Sequence, residues 1–315
     1  MIENQFRHEA LLYAGEADFL RGTMAFIRRG LVQEEAVLVV ESAPKIAALR
    51  RELGEDASLV HFADMAQVGA NPARIIPAWR DFVSEHGRDG KGLRGIGEPI
   101  WAGRTADELV ECQRHESLLN VAFAGGRPWQ LLCPYDITAL PGQIIDEARR
   151  SHAYVTERHV DLPSPHYRGA DEAAAMFDAP LRPTPADATV LPFGAGDLAK
   201  VRSLAGQYAA GAGLSKSRTA DFVSAVNEVA TNSLRHGGGA GTLFVWDDDG
   251  ALTCEVRDRG RFDKPLADRE RPAGTTASRG LWLANQLCDL VQIRSYPTGT
   301  VVRLLMRAPA TTVAN

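Results

Sequence analysis

Residues 217–239 read SRTADFVSAVNEVATNSLRHGGG, and this stretch decides how the C-terminal half is read. On a helix of about 100° per residue with Phe222 at the origin, Val223, Val226, Val229, Ala230 and Leu234 fall within an arc of about 140°. That is one apolar stripe facing a core. Glu228, Asn232 and His236 fall at about 240°, 280° and 320°, a polar strip along the other flank. Gly237-Gly-Gly239 ends the helix. An amide oxygen suits Mg²⁺ and a carboxylate one turn away can serve as a general base, so Asn232 and Glu228 can share a ligand. Taken alone, the same strip reads first as a solvated helix face.

Downstream, the period changes from helix to strand. Residues 242–246 and 252–256 read as strands joined by Asp247-Asp-Asp-Gly250, a good hairpin turn. Residues 289–295 and 300–306 form a second pair around Tyr296-Pro-Thr-Gly299, and a helix over 278–288 separates the two. The expectation is α+β, with helices on one face of a mixed sheet. Three short signals sit at the joints. Asp258-Arg-Gly260 follows a strand, where a carboxylate can accept from an exocyclic amine while glycine lets backbone pass close to a ring. Ser278-Arg-Gly-Leu281 opens a helix, where N–H groups and the dipole favour phosphate. Gly299-Thr300 opens the last strand. Each by itself is an ordinary turn.

Upstream, apolar runs at 36–40, 58–62 and 130–133 alternate with helical spacing over 44–53 and 72–86. This predicts an α/β domain with a mostly parallel sheet. Six of the chain's 17 prolines fall within residues 162–192, which predicts an extended, semi-rigid linker over 162–187 between domains at 1–161 and 188–310. The whole chain has 315 residues and 45% hydrophobic content, as expected of a globular two-domain protein. Its net charge of −5 argues against direct nucleic-acid binding. Four separated cysteines without a CxxC pair predict reduced, buried thiols. The first nine residues are polar and no apolar run approaches the ~20 residues of a membrane span, so a cytoplasmic, non-membrane protein is expected.

In order and spacing, the motifs of residues 188–310 resemble the GHKL ATPase family, in particular its branch of bacterial anti-sigma-factor serine kinases. The resemblance implies a GHKL (Bergerat) ATP-binding sandwich. It makes Asn232 the Mg²⁺ ligand, Glu228 the general base and His236 the histidine of the same box. Asp258 would read adenine, with Gly260 beneath the ring and Thr300 supporting those hydrogen bonds. Arg279, Gly280 and Leu281 would lie on the phosphate side. The family pattern Asp-x-Gly-x-Gly is broken by Phe262, and Ser278 stands where its lid often has Gly-x-Gly.

The N-terminal half resembles the MEDS (DcmR-type) sensory domain through residues 8–13, 95–101, 111–116 and 131–136. That family looks RecA-like without a phosphate loop. Consistently, the turn at residues 40–45 lacks Gly-Lys-Ser/Thr. Within this half, Glu111, Cys112, His115 and Glu116 share one helix, while Cys133 and His152 lie elsewhere. Such residues can bind metal, but the lack of CxxC or HxxxH spacing favours packing and salt bridges.

Together the resemblances imply a regulator in which Mg·ATP serves phosphorylation of a STAS-type anti-anti-sigma protein, controlled by a small-molecule signal at the N-terminal domain. A sigma factor is a further implied partner, and a homodimer is allowed. The rival expectation is a non-catalytic nucleotide-binding module that sequesters a sigma factor or antagonist. A histidine kinase is disfavoured, because no helical hairpin with a phospho-accepting histidine precedes the ATP domain.

Overall fold

Valine-rich β2 (Ala36–Glu41) is bonded on both sides, to β3 (Val60–Asp64) and β4 (Leu93–Gly97), both parallel to it. A strand enclosed on both faces carries a continuous apolar run instead of an alternating one. The computed structural model describes residues 6–88, 90–157, 160–169, 180–248, 250–271 and 280–308. It divides into two compact units, residues 1–177 and 178–315.

The first unit is α/β. Its seven-stranded sheet has the order β3-β2-β4-β5-β1-β6-β7, completed by β1 (Arg7–Tyr13), β5 (Gln130–Asp136), β6 (Tyr154–Glu157) and β7 (Val160–Pro163). All its pairings are parallel except β6 with β7. The main helices are α1 (Gly15–Val32), α2 (Ala43–Leu53), the short α3 (Met65–Val68), α4 (Ile75–His86), α5 (Ala106–Ala122) and α6 (Gly142–Ser151). Residues 58 and 59 end a 3₁₀ turn, so the third strand begins at Val60 instead of 58. The first strand is β1, not the run at 36–40. Its turn into α1 reads Ala14-Gly15-Glu16-Ala17, which also lacks the Gly-Lys-Ser/Thr of a phosphate loop.

The second unit is a five-stranded sheet of order β11-β12-β10-β9-β8, built from β8 (Thr189–Gly194), β9 (Ala240–Asp248), β10 (Ala251–Asp258), β11 (Leu290–Tyr296) and β12 (Gly299–Arg307). Every pairing is antiparallel, which corrects the expected mixed sheet: β8–β9, β9–β10 and β11–β12 each pair sequential strands, and β12 returns antiparallel to β10. Helices α7 (Leu198–Gly211), α8 (Lys216–His236) and α9 (Gly280–Leu287) pack their apolar sides with the sheet in one core. The stripe predicted for α8 is the observed one, with Phe222, Val226, Val229 and Ala230 at 0–1% exposure. On β10 the apolar Leu252, Cys254 and Val256 alternate with Thr253 and Glu255. Glu255 is buried and accepts two hydrogen bonds from Arg303, at 2.6 and 2.9 Å. All four cysteines are buried and none is in a disulfide.

The residues read as a linker are partly built into the units. β7 ends at Pro163, and Ser164 Oγ donates to the Arg149 carbonyl at 2.5 Å. Beyond residue 180, Thr184 Oγ1 donates to Glu255 at 2.9 Å, and the Arg182 carbonyl accepts from Arg303 at 2.7 Å.

Glycines on β4 set how closely α4 can approach. A Cβ on Gly95 would lie 2.8 Å from the Trp79 ring and 2.9 Å from Leu131 Cδ1. Trp79 is 1% exposed and has nowhere to retreat. Gly95→Ala should therefore destabilise the protein by about 1–3 kcal/mol through overpacking, read as a lower midpoint in urea unfolding of the full chain. An unchanged midpoint contradicts this packing.

Candidate functional site

The C-terminal end of α8, the end of β10 and the start of β12 converge on a cavity of about 310 Å³. Its wall includes Asn232, His236, Asp258, Gly260, Leu281 and Thr300. Six residues proposed from separate motifs thus share one cavity. Gly280 is the first residue of α9, and a Cβ on it would lie 2.7 Å from Asn232 Nδ2 and 3.2 Å from Glu228 Oε2. The helix start therefore rests directly against Asn232 and Glu228. Glu228 and Asn232 are half-buried and His236 is exposed. Arg279, Ser278 and Gly274 lie outside the described residues.

Asp258 is the best-fixed polar group of the site. Its Oδ1 accepts from the Gly260 N–H at 2.8 Å and its Oδ2 from Ser233 Oγ at 2.6 Å. A carboxylate has about four lone-pair positions, so acceptor capacity remains for a ligand. Three glycines make room for it. A Cβ on Gly237 would stand 2.4 Å from Asp258 Cγ, one on Gly260 3.0 Å from Oδ1, and one on Gly299 1.9 Å from the Asp258 carbonyl oxygen. Thr300 Oγ1 donates to the Gly260 carbonyl at 3.0 Å and so holds the glycine behind the carboxylate.

Ser233 and the packing role of Gly237 were missed from sequence: a serine inside a helix and a glycine ending one carry no motif of their own. Arg261 and Lys264 also line the cavity and bring positive charge that the motif reading left unassigned. Phe262, at the broken second-glycine position, packs against the core, and its N–H donates to Ser295 Oγ at 2.9 Å. Further along, Asp268 and Arg269 are 2% and 1% exposed, and Asn285 of α9 donates to the Asp268 carbonyl at 3.0 Å. The loop after β10 is therefore anchored on both sides.

In the first unit a second polar group lies at the C-terminal ends of parallel strands, the edge where α/β sheets take ligands. Tyr13 ends β1, Glu41 ends β2 and Glu98 follows β4. Tyr13 Oη donates to Glu98 Oε1 at 2.8 Å and accepts from Lys45 Nζ at 2.6 Å; Lys45 also pairs with Glu98. Glu41 is 1% exposed. Burial first, and then the Glu98 carboxyl, push the Glu41 carboxyl well above its ordinary value of 4.5, against the opposing charge of Lys45.

Comparison with known families agrees with this division. Residues 7–153 match the MEDS family, described as MEthanogen/methylotroph, DcmR Sensory domain, and residues 191–306 match a histidine kinase-like ATPase domain. The chain is thus a MEDS domain followed by a histidine kinase-like ATPase domain. Comparison with curated proteins gave no match. Among solved structures, the RsbU and RsbW domains of Rv1364c from Mycobacterium tuberculosis match at 24% identity and a TM-score of 0.30, over 42% of this chain and 35% of that one. The chain therefore spans about a third of that relative.

The raised Glu41 carboxyl has a consequence for stability. The folded state holds a proton that the unfolded chain releases above 4.5, so this contribution is present in acid and is lost as pH rises through the folded value. Glu41→Gln keeps the neutral form. Its melting temperature relative to wild type should rise steadily from mildly acidic to alkaline pH, measured by thermal unfolding of the full chain. A difference independent of pH counts against a neutral Glu41.

Proposed function

We propose that the second unit binds Mg·ATP and transfers its terminal phosphoryl group to a serine or threonine of a STAS-type anti-anti-sigma protein, under control of the sensory unit. The observation that carries the reading is the fixed Asp258 carboxylate, with Gly260 beside it and Asn232 and Glu228 meeting the start of α9 along the same helix. The donor set fits the nucleotide. Asp258 offers an acceptor to the exocyclic amine of adenine, with Ser233 and the Gly260 N–H holding its orientation. Gly260 leaves a flat surface against which a ring can lie. Asn232 offers an amide oxygen to Mg²⁺, a hard cation that prefers oxygen. The start of α9, together with Arg261 and Lys264, favours phosphate.

Bound Mg·ATP would supply the phosphoryl group and neutralise charge on it. Glu228 stands one helical turn from Asn232 and would take the proton of the acceptor hydroxyl. His236, one turn further, lies at the exposed mouth. The MEDS unit would act by binding its signal with different affinity in two states of the chain, since only that difference can shift the second unit.

One observation favours the second reading, a non-catalytic nucleotide-binding module that sequesters a sigma factor or antagonist. The loop after β10 has Phe262 where the family pattern has glycine, and it is pinned to Ser295 and Asn285. A loop so anchored has less freedom to close over a reacting phosphate.

Asp258→Asn should weaken ATP binding by about 1–3 kcal/mol, because an acceptor becomes partly a donor. Ser233→Ala, which only frees the carboxylate to turn, should cost about 0.5–1.5 kcal/mol. Calorimetry on the full chain checks both, and equal affinity for wild type and Asp258→Asn removes the assignment. Glu228→Gln should lower phosphoryl transfer to a cognate STAS protein by about 10²–10⁴-fold with little change in ATP affinity. If wild type binds ATP but labels no STAS partner, the non-catalytic reading holds.

A further inference from the structure

Four side chains from four separate elements meet inside the first unit: His8 of β1, Glu116 of α5, Cys133 of β5 and His152, which caps α6. All four are buried, at 0–1% exposure. One ligand atom from each can be chosen so that all four atoms lie within 4.8 Å of one another. Three of the edges are 3.1 Å (His8 Nε2 to Glu116 Oε2), 3.3 Å (His152 Nε2 to Glu116 Oε2) and 3.4 Å (His8 Nε2 to Cys133 Sγ). A tetrahedral Zn²⁺ with Zn–N of about 2.0 Å and Zn–S of about 2.3 Å has edges of roughly 3.3–3.8 Å. These three of the six edges already lie close to that length.

The hydrogen bonds around it decide which atoms face inward. Asn120 Nδ2 donates to the Ser151 carbonyl at 2.8 Å, which fixes the amide so that its Oδ1 faces His8 Nδ1 at 3.2 Å. An oxygen that can only accept requires the proton on His8 Nδ1. His152 Nδ1 lies 2.8 Å from the Ala148 carbonyl, which makes the same demand. In the tautomer with its only proton on Nδ1, each ring turns a bare Nε2 lone pair to the centre, where Glu116 and Cys133 also present acceptors. The Cys133 thiol has a single proton to share among them. Glu116 Oε1 and His152 Nε2 are both buried without a hydrogen-bond partner among the described residues. Acceptors crowded in the interior without donors are costly. Metal-bound histidines typically donate their outer nitrogen to an amide or carbonyl oxygen, as both rings do here.

We propose that His8, Glu116, Cys133 and His152 form a binding site for a divalent transition metal of the Zn²⁺ class, with two imidazole nitrogens, one carboxylate oxygen and one thiolate as ligands. Charge balance points to a dication. On binding, Cys133 Sγ loses its proton to solvent and forms the metal–sulfur bond, and the thiolate and carboxylate together neutralise the two positive charges. Buried on all sides, such a site would be electrically closed. A mixed nitrogen, sulfur and oxygen set suits Zn²⁺, Co²⁺ or Fe²⁺ and not Mg²⁺ or Ca²⁺, which prefer all-oxygen shells. The lack of local spacing that argued against a metal in the sequence reflects only that the ligands lie on four elements.

The test uses the full chain without a metal-binding tag, stripped with chelator and titrated with Co²⁺, then with Zn²⁺. Wild type should take up one equivalent of Co²⁺ with tetrahedral ligand-field absorption and a thiolate charge-transfer band, and Zn²⁺ should displace it. Cys133→Ser should lose the charge-transfer band. Asn120→Ala, which keeps every ligand but releases the His8 ring, should bind about 10–100-fold more weakly. Folding of the variants is checked by ATP-independent circular dichroism. The inference is overturned if wild type takes up neither ion, whether added to folded protein or supplied during expression. It is equally overturned if the Co²⁺ spectrum is unchanged in Cys133→Ser. The wild-type arm decides the matter even where a variant does not fold.

Discussion

The second unit is organised around a shortage of space at the end of β10. Asp258 lies where the end of α8, its own loop and the start of β12 come closest, and each of these three segments places a glycine against it. A single Cβ would meet Asp258 at 2.4 Å from Gly237 or its carbonyl at 1.9 Å from Gly299. Much else follows from these contacts. The helix must end where Gly237 does, and β12 must start at a backbone of φ +144°, which side chains rarely adopt. The hydrogen bonds to Asp258 then fix one carboxylate orientation. A polar group held this firmly at a cavity wall loses little freedom when a ligand arrives, which is how preorganised sites gain affinity.

Both units bury charged and polar side chains beside their apolar cores. In the second, Glu255 is 1% exposed and is met by Arg303. In the first, Glu41, Glu111, His115, Glu116 and His152 are each no more than 1% exposed. Groups of this kind are destabilising unless partnered, and they cluster where a protein binds or senses something. The Tyr13–Lys45–Glu98 network answers that demand with a lysine and a tyrosine hydroxyl. The His8–Glu116–Cys133–His152 cluster instead gathers four possible ligand atoms within 4.8 Å of one another.

Legibility in the sequence followed the same divide. The stripe on α8 and the two hairpins were visible because local period and turn chemistry agree with the tertiary fold. β1 and β4 were not read as strands: β1 buries His8 and Glu9, and β4 contains Arg94, Gly95 and Gly97 where branched apolar residues are expected. α5 shows no apolar stripe, because it is buried on several sides with Glu108, Glu111, Arg114 and His115 among its interior residues. Asn232, His236, Asp258, Gly260, Leu281 and Thr300 on the wall of the C-terminal cavity were legible because each sits in a short motif. Ser233 and the pairing of His8 with His152 were not, since only the folded topology brings them to their partners.

The same topology ties the last turn of α6 to the residues that follow the first sheet. His152 caps α6, and the next residue, Ala153, accepts the Ser164 N–H at 2.9 Å. The Arg149 and Arg150 carbonyls of that last turn accept from Ser164 Oγ at 2.5 Å and from the Arg168 N–H at 3.1 Å. The chain leaving the first unit is therefore bonded to the same helical turn that presents His152. At its other end, Arg182 and Thr184 are bonded to Arg303 and Glu255 of the second unit's sheet. A ligand that reoriented His152 would act on the turn that holds residues 164–168. Such a turn responds to a ligand only if it has two arrangements of comparable free energy. The last turn of α6 is where that bistability would have to reside, because it presents His152 and holds those residues.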